Sequence, residues 1–149
     1  MTVVAYDGKT LATDTQMTYG SLLTTTSKLR ADASCYYASC GDPAAAEALI
    51  EWLTSGGPFP RIPSMPDGEP ACVLWCVPRN GEVPFYISSA LPQEVPLTAP
   101  YWAGGTGAGV ALGAMFVGAD AIKAVEAACK HDTQCGGDIE AVTVGEEKP

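Results

Sequence analysis

Basic residues, histidine and long apolar runs are scarce in this sequence of 149 residues. Eight lysines and arginines stand against 17 aspartates and glutamates, which gives a formal net charge of -9 at pH 7. This charge would repel phosphate backbones and anionic lipid headgroups, so nucleic acid and membrane surfaces are excluded as expected partners. The first residues show no basic region followed by an apolar stretch, and no later run is long enough to cross a bilayer. The sequence therefore predicts a cytoplasmic protein.

A single histidine, His131, and the spacing of the six cysteines argue against a zinc site. Two cysteine pairs follow CxxxxC and CxxxC patterns, and most cysteines lie in apolar runs, where a free thiol behaves as a small hydrophobic group. Because the number of cysteines is even, disulfides also stay open as an alternative. The glycine-rich residues 104–109 match neither GxGxxG nor GxxxxGK[ST], so they do not indicate a nucleotide site. No metal and no cofactor is expected.

Hydrophobic residues make up 47% of the chain, enough for the core of a single domain over residues 1–149. Turn residues predict two β-hairpins. Asp7-Gly8 separates two short β-prone runs, and Asn80-Gly81 separates the runs at 71–77 and 83–89. A last strand is expected at 139–144.

Helices are predicted between these strands. Asp42 can cap a helix with Pro43 at its first position, and Gly56-Gly57 ends it. Residues 119–130 place their apolar side chains on one face, as an amphipathic helix does. The proline-rich residues 58–70 predict a surface loop. The elements follow in the order strands, helix, strands, two helices and strand. This order predicts an α+β fold, a four-layer αββα sandwich.

Six short segments carry a resemblance to a known family by their order as well as their content. They are Thr2-Val3-Val4-Ala5-Tyr6-Asp7-Gly8, Ala12-Thr13-Asp14-Thr15, Ser27-Lys28-Leu29, Tyr37-Ala38-Ser39-Cys40-Gly41-Asp42, Gly105-Thr106-Gly107 and Asp132-Thr133-Gln134-Cys135-Gly136-Gly137. From end to end the chain resembles the proteasome β-subunit/HslV group of N-terminal nucleophile (Ntn) hydrolases, as a short member. The proline-rich loop stands where that family has its second long helix, so a reduced second helix is expected.

The resemblance implies that Thr2 is the nucleophile once Met1 has been removed. A free α-amine has a pKa of about 7.7–8.0 and can act as the general base for the threonine hydroxyl. Lys28 would oppose protonation of that amine and stabilise the attacking oxygen, and Asp14 would hold Lys28 in place. Without the resemblance, a solvated surface lysine and a turn aspartate would be the preferred interpretation.

The resemblance also assigns supporting roles. The backbone N–H near Ala38 would receive the oxyanion, and Thr106, Asp132 and Cys135 would surround the Thr2 amine and the hydrolytic water. Thr106 and Cys135 both stand where the family usually has serine; a thiol forms weaker hydrogen bonds than a hydroxyl. Helix capping and turn formation are the alternative roles for Thr106 and Asp132.

The function implied is a threonine-type peptidase that hydrolyses peptide bonds through an acyl-enzyme. Its substrates would be peptides or unfolded proteins, and its partners a self-compartmentalised homo-oligomer and an ATP-dependent unfoldase. Two alternatives stay open: a noncatalytic proteasome-like assembly or binding subunit, and a nonpeptidic amidase with the same nucleophile.

Overall fold

A computed structural model describes residues 2–19 and 21–145. Within these residues the chain forms eleven strands and three helices, in an α+β arrangement with antiparallel sheets. Their bounds, in chain order, are β1 (Val3–Tyr6), β2 (Thr10–Thr13), β3 (Gln16–Tyr19), β4 (Leu22–Thr25), β5 (Leu29–Ala31), β6 (Cys35–Gly41), α1 (Pro43–Ser55), β7 (Cys72–Pro78), β8 (Phe85–Ser88), β9 (Leu91–Pro96), β10 (Trp102–Gly105), α2 (Ala108–Phe116), α3 (Ala121–His131) and β11 (Glu140–Thr143).

The strands form two sheets and one separate hairpin. One sheet has four strands in the order β10-β1-β2-β11, and the other has five in the order β5-β6-β7-β8-β9. Among the strands of the described residues, β3 and β4 pair only with each other. Because β1 is an inner strand of its sheet, the residue that precedes it is held between neighbours on both sides.

Three apolar clusters show how the layers pack. Side chains alternate between the faces of a strand, so the neighbours Val3 and Val4 enter different clusters. Val3 packs with α2 and α3, whereas Val4 packs with Leu11 and Trp75 between the two sheets. On the outer face of the five-stranded sheet, Leu49 of α1 is fully buried against β6, β7 and β8. Helices therefore cover the outer face of each sheet.

Several of these elements agree with the predictions made from neighbouring residues in the sequence. Asp7 Oδ1 accepts the N–H groups of Lys9 and Thr10 at 3.0 and 2.7 Å, which closes the first hairpin. Helix α1 begins at Pro43 and ends before Gly56, and residues 58–70 contain no helix or strand, as predicted. Hairpin β3–β4 and strand β9 were not predicted.

Other sequence-based expectations concern disulfides, metals and membranes. All six cysteines are free thiols, so the disulfide alternative does not apply to this structure. In residues 2–19 and 21–145, no three His, Cys, Asp or Glu side chains are grouped as a metal site would need. The helices of the described part of the chain are too short or too polar to span a bilayer.

The N-cap of α1 gives a first testable prediction. Asp42 Oδ1 accepts the Ala44 N–H at 3.0 Å, which satisfies one of the unpaired donors of the first turn. We expect Asp42→Ala to lower the free energy of unfolding by about 1 kcal/mol, measured by urea denaturation. Glu51→Ala, on the exposed face of the same helix, is the matched control and should leave the unfolding midpoint nearly unchanged. An unaltered midpoint for Asp42→Ala would mean that the cap does not stabilise α1.

Candidate active site

Thr2 lies immediately before β1 and is buried, with 3% of its surface exposed. Its backbone carbonyl accepts the Gly107 N–H and the Thr106 hydroxyl, each at 3.3 Å. Both donors belong to the segment that joins β10, the neighbour of β1, to α2. The start of the first strand is therefore anchored inside the fold.

Asp14 follows β2 and has no exposed surface. The β1–β2 hairpin pairs Val4 with Thr13, which brings Asp14 opposite Val3. Its Oδ1 accepts the Val3 N–H and its Oδ2 accepts the Gly136 N–H, both at 3.1 Å. The carboxylate is thus fixed beside the peptide bond that links Thr2 to Val3.

Lys28 completes a buried ion pair with this carboxylate. Its Nζ lies 2.8 Å from Asp14 Oδ1, and the two side chains are 8% and 0% exposed. The same oxygen accepts the Val3 N–H, so the lysine ammonium lies next to the first peptide unit of β1. A buried ion pair is weak support for stability because of its desolvation cost, so the pair indicates a role beyond stability. Thr2, Asp14 and Lys28, which the sequence places far apart, are brought together.

Thr106 and Cys135 also meet at Thr2. The Thr106 hydroxyl lies 3.8 Å from Cys135 Sγ, within hydrogen-bonding range for sulfur. Cys135 is 4% exposed, and this burial raises its thiol pKa, while the hydrogen bond with Thr106 acts in the opposite direction. The structure thus places the Thr106 hydroxyl beside the Thr2 carbonyl and the Cys135 thiol next to Thr106; that they surround the Thr2 amine stays a prediction.

Asp132 has a position fixed by the turn that follows α3. It ends α3, and its Oδ1 accepts the Gln134 N–H at 2.8 Å while its carbonyl accepts the Cys135 N–H at 3.2 Å. Among the hydrogen bonds of the described residues, none joins its carboxylate to Thr2 or Thr106. These contacts are those of a turn-forming aspartate that positions Cys135.

The register of β6 argues against Ala38 as an oxyanion donor. Backbone N–H groups of neighbouring residues point to opposite sides of a strand. The Ser39 N–H donates to the Lys28 carbonyl at 3.2 Å on the β5 side, so the Ala38 N–H is directed to the other side, where Ala38 pairs with Trp75 of β7. Ala38 is also fully buried between the sheets.

Gly41, at the end of β6, is placed better for that role. The same alternation directs the Gly41 N–H to the side on which the Ser39 N–H points. There it lies beyond the first residue of β5, at the strand edge where Lys28 lies. Its φ is +99°, and a Cβ here would lie 2.1 Å from the Ala71 carbonyl oxygen, so only glycine fits. This glycine belongs to the segment 37–42 that carries the resemblance, but the backbone donor named from the sequence was the N–H near Ala38.

Cys40 is a further site residue that sequence reasoning missed. Its thiol lies near Thr2, because a Cβ on Gly105 would lie 3.1 Å from Cys40 Sγ and 2.2 Å from the Thr2 carbonyl oxygen. Burial raises the pKa of this thiol to about 12, against the opposing effect of the Lys28 charge. A cysteine in an alternating β-strand pattern is indistinguishable from a core residue by sequence, so no local signal could have identified it.

Close backbone packing around Thr2 explains the glycine-rich segment that follows Trp102. Gly105 has φ +86°, and a Cβ on it would lie 2.2 Å from the Thr2 carbonyl oxygen. A Cβ on Gly107 would lie 2.8 Å from Val3 Cβ and 3.0 Å from Cys135 Sγ. These glycines are needed for contact with the first strand.

Comparison with solved structures identifies the fold. Thiobacillus denitrificans BPH is similar with a TM-score of 0.69 at 17% identity, over 99% of this chain and 100% of that chain. BPH in complex with epoxomicin gives 0.70 at 18% identity, over 96% and 97%. A eukaryotic HslV from Trypanosoma brucei gives 0.69 at 21%, over 95% and 97%. No family model and no curated protein matches the sequence. The chain therefore has a proteasome/HslV-like fold.

Proposed function

We propose that this chain is a threonine-type hydrolase that cleaves peptide bonds through an acyl-enzyme on Thr2, after removal of Met1. The observation that carries the proposal is the buried Asp14–Lys28 pair at 2.8 Å, whose shared oxygen also binds the first amide of β1. The packing of helices on both outer sheet faces supports the four-layer αββα sandwich of N-terminal nucleophile hydrolases. The loop at 58–70 replaces its second helix.

The first half of the reaction forms the ester. The neutral α-amine of Thr2 takes the proton of Oγ1 while Oγ1 attacks the carbonyl carbon of the scissile amide. The positive charge of Lys28 stabilises the developing negative charge on Oγ1 and disfavours protonation of the amine. The carbonyl electrons move onto oxygen, which the Gly41 N–H stabilises. The C–N bond then breaks, the proton passes to the leaving nitrogen, and an ester remains on Thr2.

The second half hydrolyses this ester. The same amine takes a proton from water, the hydroxide attacks the ester carbonyl, and a second oxyanion forms at the Gly41 N–H. The C–O bond to Thr2 breaks, and the proton returns to Oγ1. Thr106 holds the Thr2 carbonyl and contacts Cys135, and Asp132 acts through the turn that places Cys135. In this mechanism Thr106 and Cys135 flank the amine.

The substrate and assembly follow from the same proposal. Peptides or unfolded proteins in the cytoplasm would be hydrolysed inside a closed homo-oligomer, with an ATP-dependent unfoldase as partner, and the HslV-like fold supports this. Large apolar side chains on the surface could form subunit contacts. They include Leu22, Leu23, Phe116 and Val117, which are 69%, 69%, 78% and 80% exposed.

The test is mass spectrometry with epoxomicin, an epoxyketone directed at N-terminal threonines. We expect the purified chain to lack Met1 and to gain one inhibitor mass per subunit, mapped to the peptide that begins with Thr2. Protein unfolded in urea is the control and should gain none, because labelling needs the folded site. A folded and fully processed chain that stays unlabelled would support the noncatalytic assembly or binding subunit instead.

A further inference from the structure

Lys28 lies in a short connection between two strands. Strand β4 ends at Thr25 and β5 begins at Leu29, so residues 26–28 join the separate hairpin to an edge strand of only three residues. The Lys28 carbonyl accepts the Ser39 N–H at 3.2 Å, which fixes its backbone on the side of β6. The direction of the Lys28 side chain therefore depends on how its neighbours in this connection are held.

Glu140, at the start of β11, holds the residue that precedes Lys28. The Ser27 hydroxyl donates to Glu140 Oε2 at 2.9 Å. Ser27 leads into the five-stranded sheet and Glu140 belongs to the four-stranded sheet, so this hydrogen bond crosses from one sheet to the other. In its own sheet Glu140 pairs with Thr13, the residue before Asp14. Glu140 thus adjoins a chain neighbour of each member of the buried ion pair.

The Glu140 carboxylate is the stronger of two acceptors for the Ser27 hydroxyl. The Leu29 carbonyl also lies within reach, at 3.3 Å, but a hydroxyl donates one hydrogen, and bonds to ionised acceptors are the stronger ones. The second carboxylate oxygen, Oε1, is buried without a hydrogen-bond partner among the described residues. A buried polar atom without a partner lowers stability, so stability alone does not account for a glutamate at this position.

We propose that Glu140 is a positioning residue for Lys28, and this rests on the proposed function. By accepting the Ser27 hydroxyl, Glu140 ties the connection before β5 to the sheet that begins at Thr2. The Lys28 ammonium is then kept in one place, 2.8 Å from Asp14 Oδ1. Because a developing charge is stabilised best by groups that are already in position, Glu140 acts on the chemical step through Lys28. No contact between Glu140 and the substrate is required.

The experiment compares Glu140→Ala, which removes the acceptor, with Glu140→Gln, which keeps an oxygen for the Ser27 hydroxyl. Ser27→Ala removes the donor, and the double variant Ser27→Ala/Glu140→Ala removes both. Thr143→Ala is the matched control, because it removes the 3.2 Å side-chain hydrogen bond to Thr10 at the other end of β11. For each processed variant we measure kcat and KM with a fluorogenic peptide, and the rate of epoxomicin labelling. Thermal unfolding reports the folded state of each variant.

We expect Glu140→Ala and Ser27→Ala each to lower kcat and the labelling rate by about tenfold, with KM within about twofold, the effect of one lost hydrogen bond to a charged group. The double variant should lose no more than either single variant, because both substitutions remove the same bond. Glu140→Gln should recover most of the loss, and Thr143→Ala should keep both rates. Since Ser27 is exposed, Ser27→Ala should fold, and it tests the same bond even where Glu140→Ala does not fold.

Four outcomes would overturn the positioning role. They are wild-type rates in either folded alanine variant, equal losses in folded Glu140→Gln and Glu140→Ala, a loss of about hundredfold in the folded double variant, and a higher KM with unchanged kcat. The last of these would make Glu140 a substrate contact. All four leave the hydrolase proposal intact, because that proposal fails only if the wild-type chain itself neither hydrolyses nor labels.

Discussion

Replacement of Thr2 by alanine is expected to abolish peptide hydrolysis, with a loss in kcat of about 10⁴-fold or more. Alanine keeps the α-amine but has no oxygen with which to attack, so no acyl-enzyme can form. The Thr2 backbone carbonyl still accepts its bonds from Thr106 and Gly107, so the start of β1 should stay anchored. The measurement is kcat/KM with a fluorogenic peptide amide on folded, processed protein.

Thr2→Ser is the matched control for this prediction. Serine keeps the hydroxyl, and both alanine and serine are small enough for removal of the preceding methionine. Intact mass should therefore show the same processing in both variants. We expect Thr2→Ser to keep hydrolysis within about tenfold of wild type, because it loses only the methyl group that restricts χ1. Hydrolysis by Thr2→Ala at the wild-type rate would assign the activity to another residue or to a contaminant.

The elements that could be predicted from the sequence are those governed by local chemistry. The hairpin at Asp7-Gly8 and the helix capped by Asp42 depend on neighbouring residues alone. Strand β9 was missed because it contains Pro92 and Pro96, which argue against a strand. It is an edge strand with neighbours on one side only, and there a missing N–H is tolerated.

The residues of the candidate site could likewise be predicted only in part. Thr2, Asp14 and Lys28 were identified through the order of their motifs, and the structure brings them together. The oxyanion donor was assigned to Ala38 because the sequence does not reveal the strand register. A shift of one residue along a strand reverses the direction in which the backbone N–H points. Cys40 was missed for a related reason, since its approach to Thr2 crosses from one sheet to the other.

Lys28→Met is expected to damage both stability and activity. Methionine has a similar length but no charge, so the fully buried Asp14 carboxylate loses its cationic partner. We expect the free energy of unfolding to fall by about 3–5 kcal/mol, as when one member of a buried ion pair is removed. We also expect kcat/KM to fall by about 10³-fold, because a preorganised charge beside the attacking oxygen is lost. Urea denaturation and peptide hydrolysis measure the two effects.

The double variant Asp14→Asn/Lys28→Met separates these effects. Neutral asparagine can still accept the Val3 N–H and leaves no buried charge unpaired, although its amide nitrogen cannot accept the Gly136 N–H. The double variant should therefore be more stable than Lys28→Met by about 1–2 kcal/mol. Its activity should stay as low as that of Lys28→Met, because the positive charge is absent from both. Arg30→Met removes one member of the exposed Arg30–Glu47 pair, whose atoms lie 2.6 Å apart, and as a control it should cost less than about 1 kcal/mol. If the double variant regained hydrolysis together with stability, Lys28 would be a structural residue only, and the proposed role of its charge in catalysis would be wrong.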